Sequence, residues 1–339
     1  MAKKIIYIDN FLTKHGHTPT IGESLATLLS NEGYVLVKAS SKKMKLLRLL
    51  HMLFIIFRYR KNAIVLISTY SGEAFYFALI CSWLCRLCNI KYIPCLHGGN
   101  LPQRIRFSTG MSNQLFSKSY MNVAVSGYLE HYVRNNGWKV TVIPNIIHIK
   151  EYPYLQRMQC NAKILWVRSF HEIYNPTLAI KVLHAMLGQI AGASLAMVGP
   201  DKDGSLTVCK KLVNDLSISD KVQFLGLMPR EEWMKLSAGY DVFINTTNFD
   251  NLPVSIIEAM ALGMPIVSTN VGGLQYLIED NINGLLVNPN DEQGFVSAIS
   301  CLINNSNTTQ TLSSNARIFA EKFDWEHVKH QWNDLLLKA

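Results

Sequence analysis

The sequence predicts an α/β protein of two successive domains, each a parallel sheet flanked by helices. Three observations carry that expectation. Short β-branched and aromatic runs alternate with longer amphipathic stretches in both halves, the rhythm of strand–helix–strand units. A length of 339 residues suits two cores of ~150 to 170 residues better than one. Between the halves, from Pro144 to Ala162, periodicity lapses around Pro153, which marks a hinge. The division read from this is residues 1–150, residues 160–322 and a terminal helix within 323–339.

The first half opens with a strand over Lys4–Ile8 and a helix over Ile21–Asn31 that Gly33 ends. A strand at Tyr34–Ala39, a basic amphipathic helix at Lys42–Tyr59 and a strand at Ala63–Ser68 follow. The pattern continues with a helix at Glu73–Cys88, a strand at Ile90–Cys95, then Asn122–Ser126, Tyr128–Asn135 and Val140–Ile143. In the second half Ile164–Arg168, Ser194–Val198, Val222–Leu225, Val242–Asn245 and Ile266–Ser268 read as buried strands with helices between them.

Composition narrows the classes. Apolar residues make up 49% and charged residues 17%, a globular balance with no disordered segment. Charge is uneven: residues 1–155 carry 19 Lys and Arg against 6 Asp and Glu, whereas residues 156–339 carry 14 against 18. A basic first half suits an anionic membrane face or a phosphorylated partner. Nucleic acid is discounted, because aromatics are not interleaved with the basic residues in a recognisable module. Of seven cysteines, Cys81, Cys85 and Cys88 share one face of an expected helix and the other four are scattered; they fit reduced thiols of a cytosolic protein and supply no zinc site. The start of the chain runs straight into a strand, without the apolar core of a signal peptide. Leu46–Phe57 and Ala74–Cys85 are too short to span a bilayer.

The most informative stretch is Tyr240 to Val287. A strand ends at Asn245, and a polar loop from Thr246 to Asn251 leads to Pro253, which suits a first helical turn. A helix through Ser255–Leu262 ends at Gly263 and Pro265, a strand returns, and Val271-Gly272-Gly273 is expected to turn into another helix. Asp250 falls just before the first of these helices and Glu258 inside it. Between them lie the free amides of Val254 and Ser255 at a positive helix end, a seat for phosphate. Two carboxylates for sugar hydroxyls around a phosphate seat describe a sugar-nucleotide site.

The run Asp250-Asn251-Leu252-Pro253-Val254-Ser255-Ile256-Ile257-Glu258-Ala259-Met260-Ala261, with Gly263, Pro265 and Val271-Gly272-Gly273, resembles the signature of the family-4 retaining glycosyltransferases (glycosyl transferases group 1). The family pattern is acid, seven residues, Glu, usually with Glu first; here Asp250 takes that place. The resemblance implies two Rossmann-like domains facing across a cleft, the GT-B architecture. It makes residues 1–150 the acceptor-binding domain and 160–322 the nucleotide-sugar-binding domain, with the last helix crossing back to the first. It also implies Leu252, Pro253, Val254, Ser255 and Glu258 as donor contacts, Asp250 as a grip on the donor sugar and Glu258 as acceptor of ribose hydrogen bonds.

Other candidates are weighed beside that motif. Arg168 ends a strand where a guanidinium would clamp a diphosphate in two-point fashion; the bland alternative is a surface arginine. Where the family follows with a lysine, this chain has Ile173. His97-Gly98-Gly99 sits at the carboxyl end of a strand and resembles the family's His-Gly loop, which makes His97 a catalytic-site candidate; the alternative is a turn histidine. Gly16, within Lys14-His15-Gly16-His17, occupies the place of the family's N-terminal glycine loop. Gly199 and the Leu225-Gly226-Leu227 turn would let a nucleotide approach, and the resemblance puts the base near Leu227. Asp201-Lys202-Asp203 reads as a solvated loop, not a metal motif, and no metal or cofactor is expected. Lys42, Lys43, Lys45, Arg48, Arg58, Arg60 and Lys61 bracket an apolar helix that would either touch an anionic membrane or pack on the sheet.

The expectation is a metal-independent, retaining enzyme at the inner face of the plasma membrane. It would move a sugar from a nucleotide-diphosphate donor to a hydroxyl of a glycan or glycolipid in surface-polysaccharide synthesis. A sugar-nucleotide epimerase, and a degenerate transferase acting as an assembly partner, remain open.

Overall fold

A computed structural model describes residues 4–13 and 20–339. The chain divides into two compact units, Met1–Ile146 with Glu326–Ala339, and Ile147–Trp325. The first holds strands β1 Lys4–Ile8, β2 Val35–Ala39, β3 Ala63–Thr69, β4 Tyr92–Leu96, β5 Asn122–Ala124 and β6 Val140–Val142. They form one parallel sheet in the order β2-β1-β3-β4-β5-β6. Lys4 of β1 pairs with Val35 on one side and Ala63 on the other. The central strands are apolar along their length because helices cover both faces of such sheets; Ile64 to Ile67 are all buried.

The helices of this unit are α1 Ile21–Asn31, α2 Lys45–Arg58, α3 Ala74–Leu87, α4 Leu101–Phe107, α5 Thr109–Phe116 and α6 Gly127–Asn135. Thr20 caps α1 by accepting from the Glu23 amide at 3.1 Å. Neither α4 nor α5 is foreseen from the sequence, which shows no helical periodicity there. Arg48 departs from expectation. It is 9% exposed and donates to Asn10 Oδ1 at 2.8 Å and to the Lys42 and Lys43 carbonyls, so it ties α2 to the end of β1 and does not belong to a basic surface.

The second unit repeats the plan with β7 Lys163–Val167, β8 Ser194–Val198, β9 Val222–Gly226, β10 Val242–Asn245, β11 Ile266–Thr269 and β12 Leu285–Val287. Its sheet order is β12-β11-β10-β7-β8-β9, again parallel. Its helices are α7 Pro176–Leu187, α8 Ser205–Asp215, α9 Arg230–Leu236, α10 Val254–Ala261, α11 Glu292–Asn304 and α12 Ser306–Glu321. Two apolar clusters form, one around Trp166, Leu183 and Phe295, the other around Phe243, Ile256 and Met260. The helix expected after Gly272-Gly273 is only a single 3-10 turn, Leu274–Tyr276. Pro253 is the cap residue before α10, not part of its first turn.

The last helix, α13 Trp325–Lys338, has all but its first residue in the first unit. Tyr34 donates to Asn333 at 2.9 Å, Tyr120 donates to the Lys338 carbonyl at 2.7 Å, and Val328, Trp332 and Leu336 are buried. Among the described residues all seven cysteines are free thiols, and no helix is long and apolar enough to cross a membrane.

Candidate functional site

In an open parallel sheet, ligands bind beyond the carboxyl ends of the strands where the strand order reverses. In the second unit the chain runs from β7 outward to β8 and β9, then returns to the other side of β7 with β10. The reversal therefore falls between β7 and β10. Arg168 follows β7, Asp250 lies in the loop after β10, and their side chains form an ion pair across that point. The two are 17% and 16% exposed. The Arg168 guanidinium also lies 4.2 Å from the centroid of the Tyr174 ring. Burial lowers the arginine's pKa, and Tyr174 opposes that shift.

Glycine packing fixes the Asp250 loop. A Cβ on Gly272 would stand 2.2 Å from the Asp250 carbonyl oxygen, and one on Gly273 would stand 1.8 Å from that of Asn251. The Gly273 amide donates to the Asp250 carbonyl at 2.9 Å. The glycine pair thus holds the acid in place by letting two backbones touch. Gly199 has a comparable reason to be glycine. A Cβ there would meet the Arg168 carbonyl oxygen at 1.8 Å, and the Gly199 amide donates to Gly226 at 2.7 Å. Arg168, Gly199 and the Gly226–Leu227 turn consequently lie side by side, with Leu227 77% exposed.

The start of α10 adjoins this loop. Pro253 offers no side-chain cap, and the Val254 and Ser255 amides and the buried Ser255 hydroxyl have no partner among the described residues. A helix end of this kind attracts anions. Leu252 and Val254 pack against the apolar cluster beneath, so their side chains anchor the helix start.

Glu258, one turn further on, meets a different set of partners. Its Oε1 accepts from the Tyr152 hydroxyl at 2.8 Å. Burial raises the Glu258 pKa, while the Tyr152 hydrogen bond and the Arg230 charge pull it back. Arg230 pairs with Glu151 and lies 5.8 Å from the Tyr152 ring centroid. Two further arginines put Tyr152 there. Arg317 donates to the carbonyls of Tyr152 at 3.0 Å and Ala261 at 2.7 Å. Arg157, 5% exposed, donates to the carbonyls of Leu155, Ser237 and Leu262 at 2.6 Å each. Both satisfy carbonyls at the end of α10, where positive charge is favoured. They pin the segment at the start of this unit to the helix that carries Glu258.

Tyr152, Arg230, Arg157 and Arg317 are missed by sequence reasoning, since their partners are distant along the chain; Tyr174, six residues from Arg168, is missed because nothing in the local pattern marks that contact. At Ile173 the backbone is engaged: its carbonyl accepts from the Asn248 amide at 2.8 Å and from Thr247 Oγ1 at 3.1 Å. His171 Nδ1 accepts from the Ile173 amide at 3.1 Å. In the Asp201–Asp203 turn, Asp203 accepts from the Glu172 and Ser205 amides and Asp201 from the Gly204 amide. No group of metal-ligating side chains occurs among the described residues.

In the first unit, the strand order reverses between β1 and β3. Asp9 follows β1, Tyr70 follows β3 and His97 follows β4. Asp9 is 3% exposed and accepts from Thr20 Oγ1 at 2.8 Å and the Asn10 amide at 2.7 Å; burial raises its pKa. The His97 ring stacks on Tyr70 at 5.5 Å, and neither ring nitrogen has a hydrogen-bond partner among the described residues. Burial pushes its pKa down to about 4, so the imidazole is neutral. Gly16 lies outside the described residues.

The doubled six-stranded α/β plan is that of the GT-B glycosyltransferases. Residues 159–319 match the family Glycosyl transferases group 1. Among curated relatives, a D-inositol 3-phosphate glycosyltransferase of Corynebacterium urealyticum is 29% identical over 126 residues, 37% of this chain and 30% of the relative. The lipopolysaccharide core biosynthesis glycosyltransferase LpsE of Rhizobium meliloti is 32% identical over 127 residues, 37% of each. The match thus spans about a third of those relatives. Among solved structures, Anabaena HepE in complex with UDP has the same fold, with a TM-score of 0.77 at 17% identity, covering 99% of this chain and 100% of HepE.

Proposed function

We propose that this chain is a family-4 retaining glycosyltransferase that needs no metal ion. It would transfer a sugar from a nucleoside-diphosphate donor to a hydroxyl of a glycan acceptor. The acceptor would be lipid-linked, an intermediate of surface-polysaccharide assembly presented at the cytoplasmic face of an anionic membrane. The observation that carries the reading is the Arg168–Asp250 pair at the β7/β10 reversal, next to the uncapped start of α10. The UDP bound in HepE and the lipopolysaccharide role of LpsE support it.

In this reading the donor diphosphate takes Arg168 from Asp250. The guanidinium and the Val254 and Ser255 amides then stabilise charge on the departing phosphate oxygen. Asp250, released, accepts hydrogen bonds from donor-sugar hydroxyls, and Glu258 accepts from the ribose. The bond from the anomeric carbon to the phosphate oxygen breaks as the acceptor oxygen bonds from the same face. The acceptor's proton passes to the leaving phosphate oxygen, which balances the step without an enzymic nucleophile. His97 would hydrogen-bond a sugar hydroxyl as a neutral imidazole.

The test is calorimetry of the purified chain with UDP-, GDP- and ADP-sugars, followed by NMR of the transfer product. The reading expects binding of one donor class, an anomer unchanged from the donor, and turnover that persists with EDTA. An inverted product, epimerised donor, loss of turnover in EDTA or no nucleotide binding would overturn it.

A further inference from the structure

Helix α2 is apolar on two faces. Met52, Ile55 and Ile56 are buried beneath it, whereas Leu46, Leu50, Phe54 and Phe57 form an outward stripe, each 53–67% exposed. Helix α3 packs beside α2 and does the same: Phe75, Ala78 and Cys81 face inward, and Tyr76, Ile80, Trp83 and Leu87 point out at 36–63% exposure. Residues spaced by three and four along each helix fall on one side, so each stripe is continuous. Lys45 and Glu73 form an ion pair at 2.5 Å, which places the two helix starts next to each other. The stripes therefore run alongside one another as a broad exposed apolar face, of a kind that marks an interaction site.

Charge decides what covers it. Lys42, Lys43 and Lys45 precede the α2 stripe and Arg58, Arg60 and Lys61 follow it; all six are cations. No Asp or Glu occurs between Glu32 and Glu73. The Arg60 guanidinium lies 4.2 Å from the Phe57 ring centroid, a cation held at the margin of the apolar surface. An apolar strip with cations at both ends and an aromatic at its border complements the boundary of an anionic bilayer, where rings and alkyl groups enter below the phosphates.

We propose that α2 and α3 together form a membrane-insertion face, taking up anionic phospholipid with Leu50, Phe54 and Trp83 below the headgroups. This deepens the membrane-side reading above by adding α3 and by making attachment depend on apolar insertion as well as charge.

Sedimentation with phosphatidylglycerol–phosphatidylcholine vesicles tests it, comparing the full chain with a Phe54→Ser/Trp83→Ser double variant. The double variant is expected to partition at least tenfold more weakly while melting like the parent, because both side chains are already exposed. Brominated lipid should quench the parent's fluorescence more than that of Trp83→Phe. Ile318→Ser, which removes a side chain 60% exposed on α12 of the second unit, should bind as the parent does. Equal binding by parent and double variant, no vesicle binding at low salt, or a self-associated parent that the double variant disperses would overturn it. Nucleotide calorimetry on the same samples keeps the two readings separate: vesicle binding without nucleotide binding retains this face and removes the proposed transferase.

Discussion

Arg168 and Asp250, 82 positions apart in sequence, neutralise each other across the point where the second sheet reverses its strand order. In the proposed reading, the donor phosphate takes the guanidinium from the carboxylate. The pairing avoids the cost of burying an isolated cation.

That pairing makes Asp250→Asn diagnostic. The substitution removes a competitor for Arg168, so UDP should bind about fivefold more tightly, corresponding to ~1 kcal/mol for a partly exposed ion pair. Sugar transfer should nevertheless fall, because the proposed reading gives Asp250 the grip on donor hydroxyls. Arg168→Gln should lose both, with kcat down ~10²–10³-fold, as for other removed charge stabilisers. Calorimetry and initial rates separate the two outcomes; weaker UDP binding by Asp250→Asn would contradict the displacement.

Glu258 should trade stability against function. Burial raises its pKa, so the native chain holds more protons than the unfolded one from about pH 4, the ordinary carboxyl value, up to the raised value. Stability therefore falls as pH rises through that window and is level above it. Glu258→Gln lacks this loss and should melt above the parent at pH 7, with the gap narrowing toward pH 4, while its donor KM rises. Tyr152→Phe removes the hydroxyl that pulls the carboxyl back, and should widen the window upward. Melting curves across pH check both; a Gln variant that gains nothing at pH 7 counts against the burial argument.

His97 carries the opposite sign. Its pKa is depressed to about 4, so the unfolded chain takes up a proton first as pH falls below about 6.5. The parent should lose ~3 kcal/mol of first-unit stability between pH 6.5 and 4 through this residue. His97→Phe should lack that contribution. Denaturant titrations at the two pH values measure the difference, and identical slopes with pH would exclude a buried neutral imidazole.

Gly273→Ala should move the Asp250 loop. Its Cβ would fall 1.8 Å from the Asn251 carbonyl oxygen, and backbone must shift. A cost of ~3 kcal/mol, several degrees in Tm, is expected, with weaker donor binding. Gly192→Ala meets nothing within 4 Å and serves as the control. Equal Tm values for the two variants would mean that the loop yields freely.

Most strands were legible as short apolar runs suited to a buried parallel sheet; Ala63–Thr69 and Val242–Asn245 need no tertiary context. The three-residue β12 Leu285–Val287 was not. Helices α4 and α5 were not, since Leu101–Phe116 mixes Arg, Gln, Ser and Gly without an apolar period. At the site, Arg168 and Asp250 could be nominated by their places after strands, but not their contact, which arises from sheet order. Tyr152 carried no local signal at all. Its role follows from Arg157 and Arg317 folding its segment back on α10, a long-range event. Arg48 misled because its position in a basic run hid three acceptors: the Lys43 and Lys42 carbonyls five and six residues back, and Asn10 beyond the end of β1.

Because α13 lies with the opening 146 residues, subcloning the two units is asymmetric. A fragment over 147–325 takes all the strands of its sheet in one piece. A fragment over 1–146 lacks the helix that supplies Val328, Trp332 and Leu336 to its interior, and needs residues 326–339 grafted on or added as a peptide. Any tag or fusion at the carboxyl terminus is likewise attached to the lobe that begins the chain.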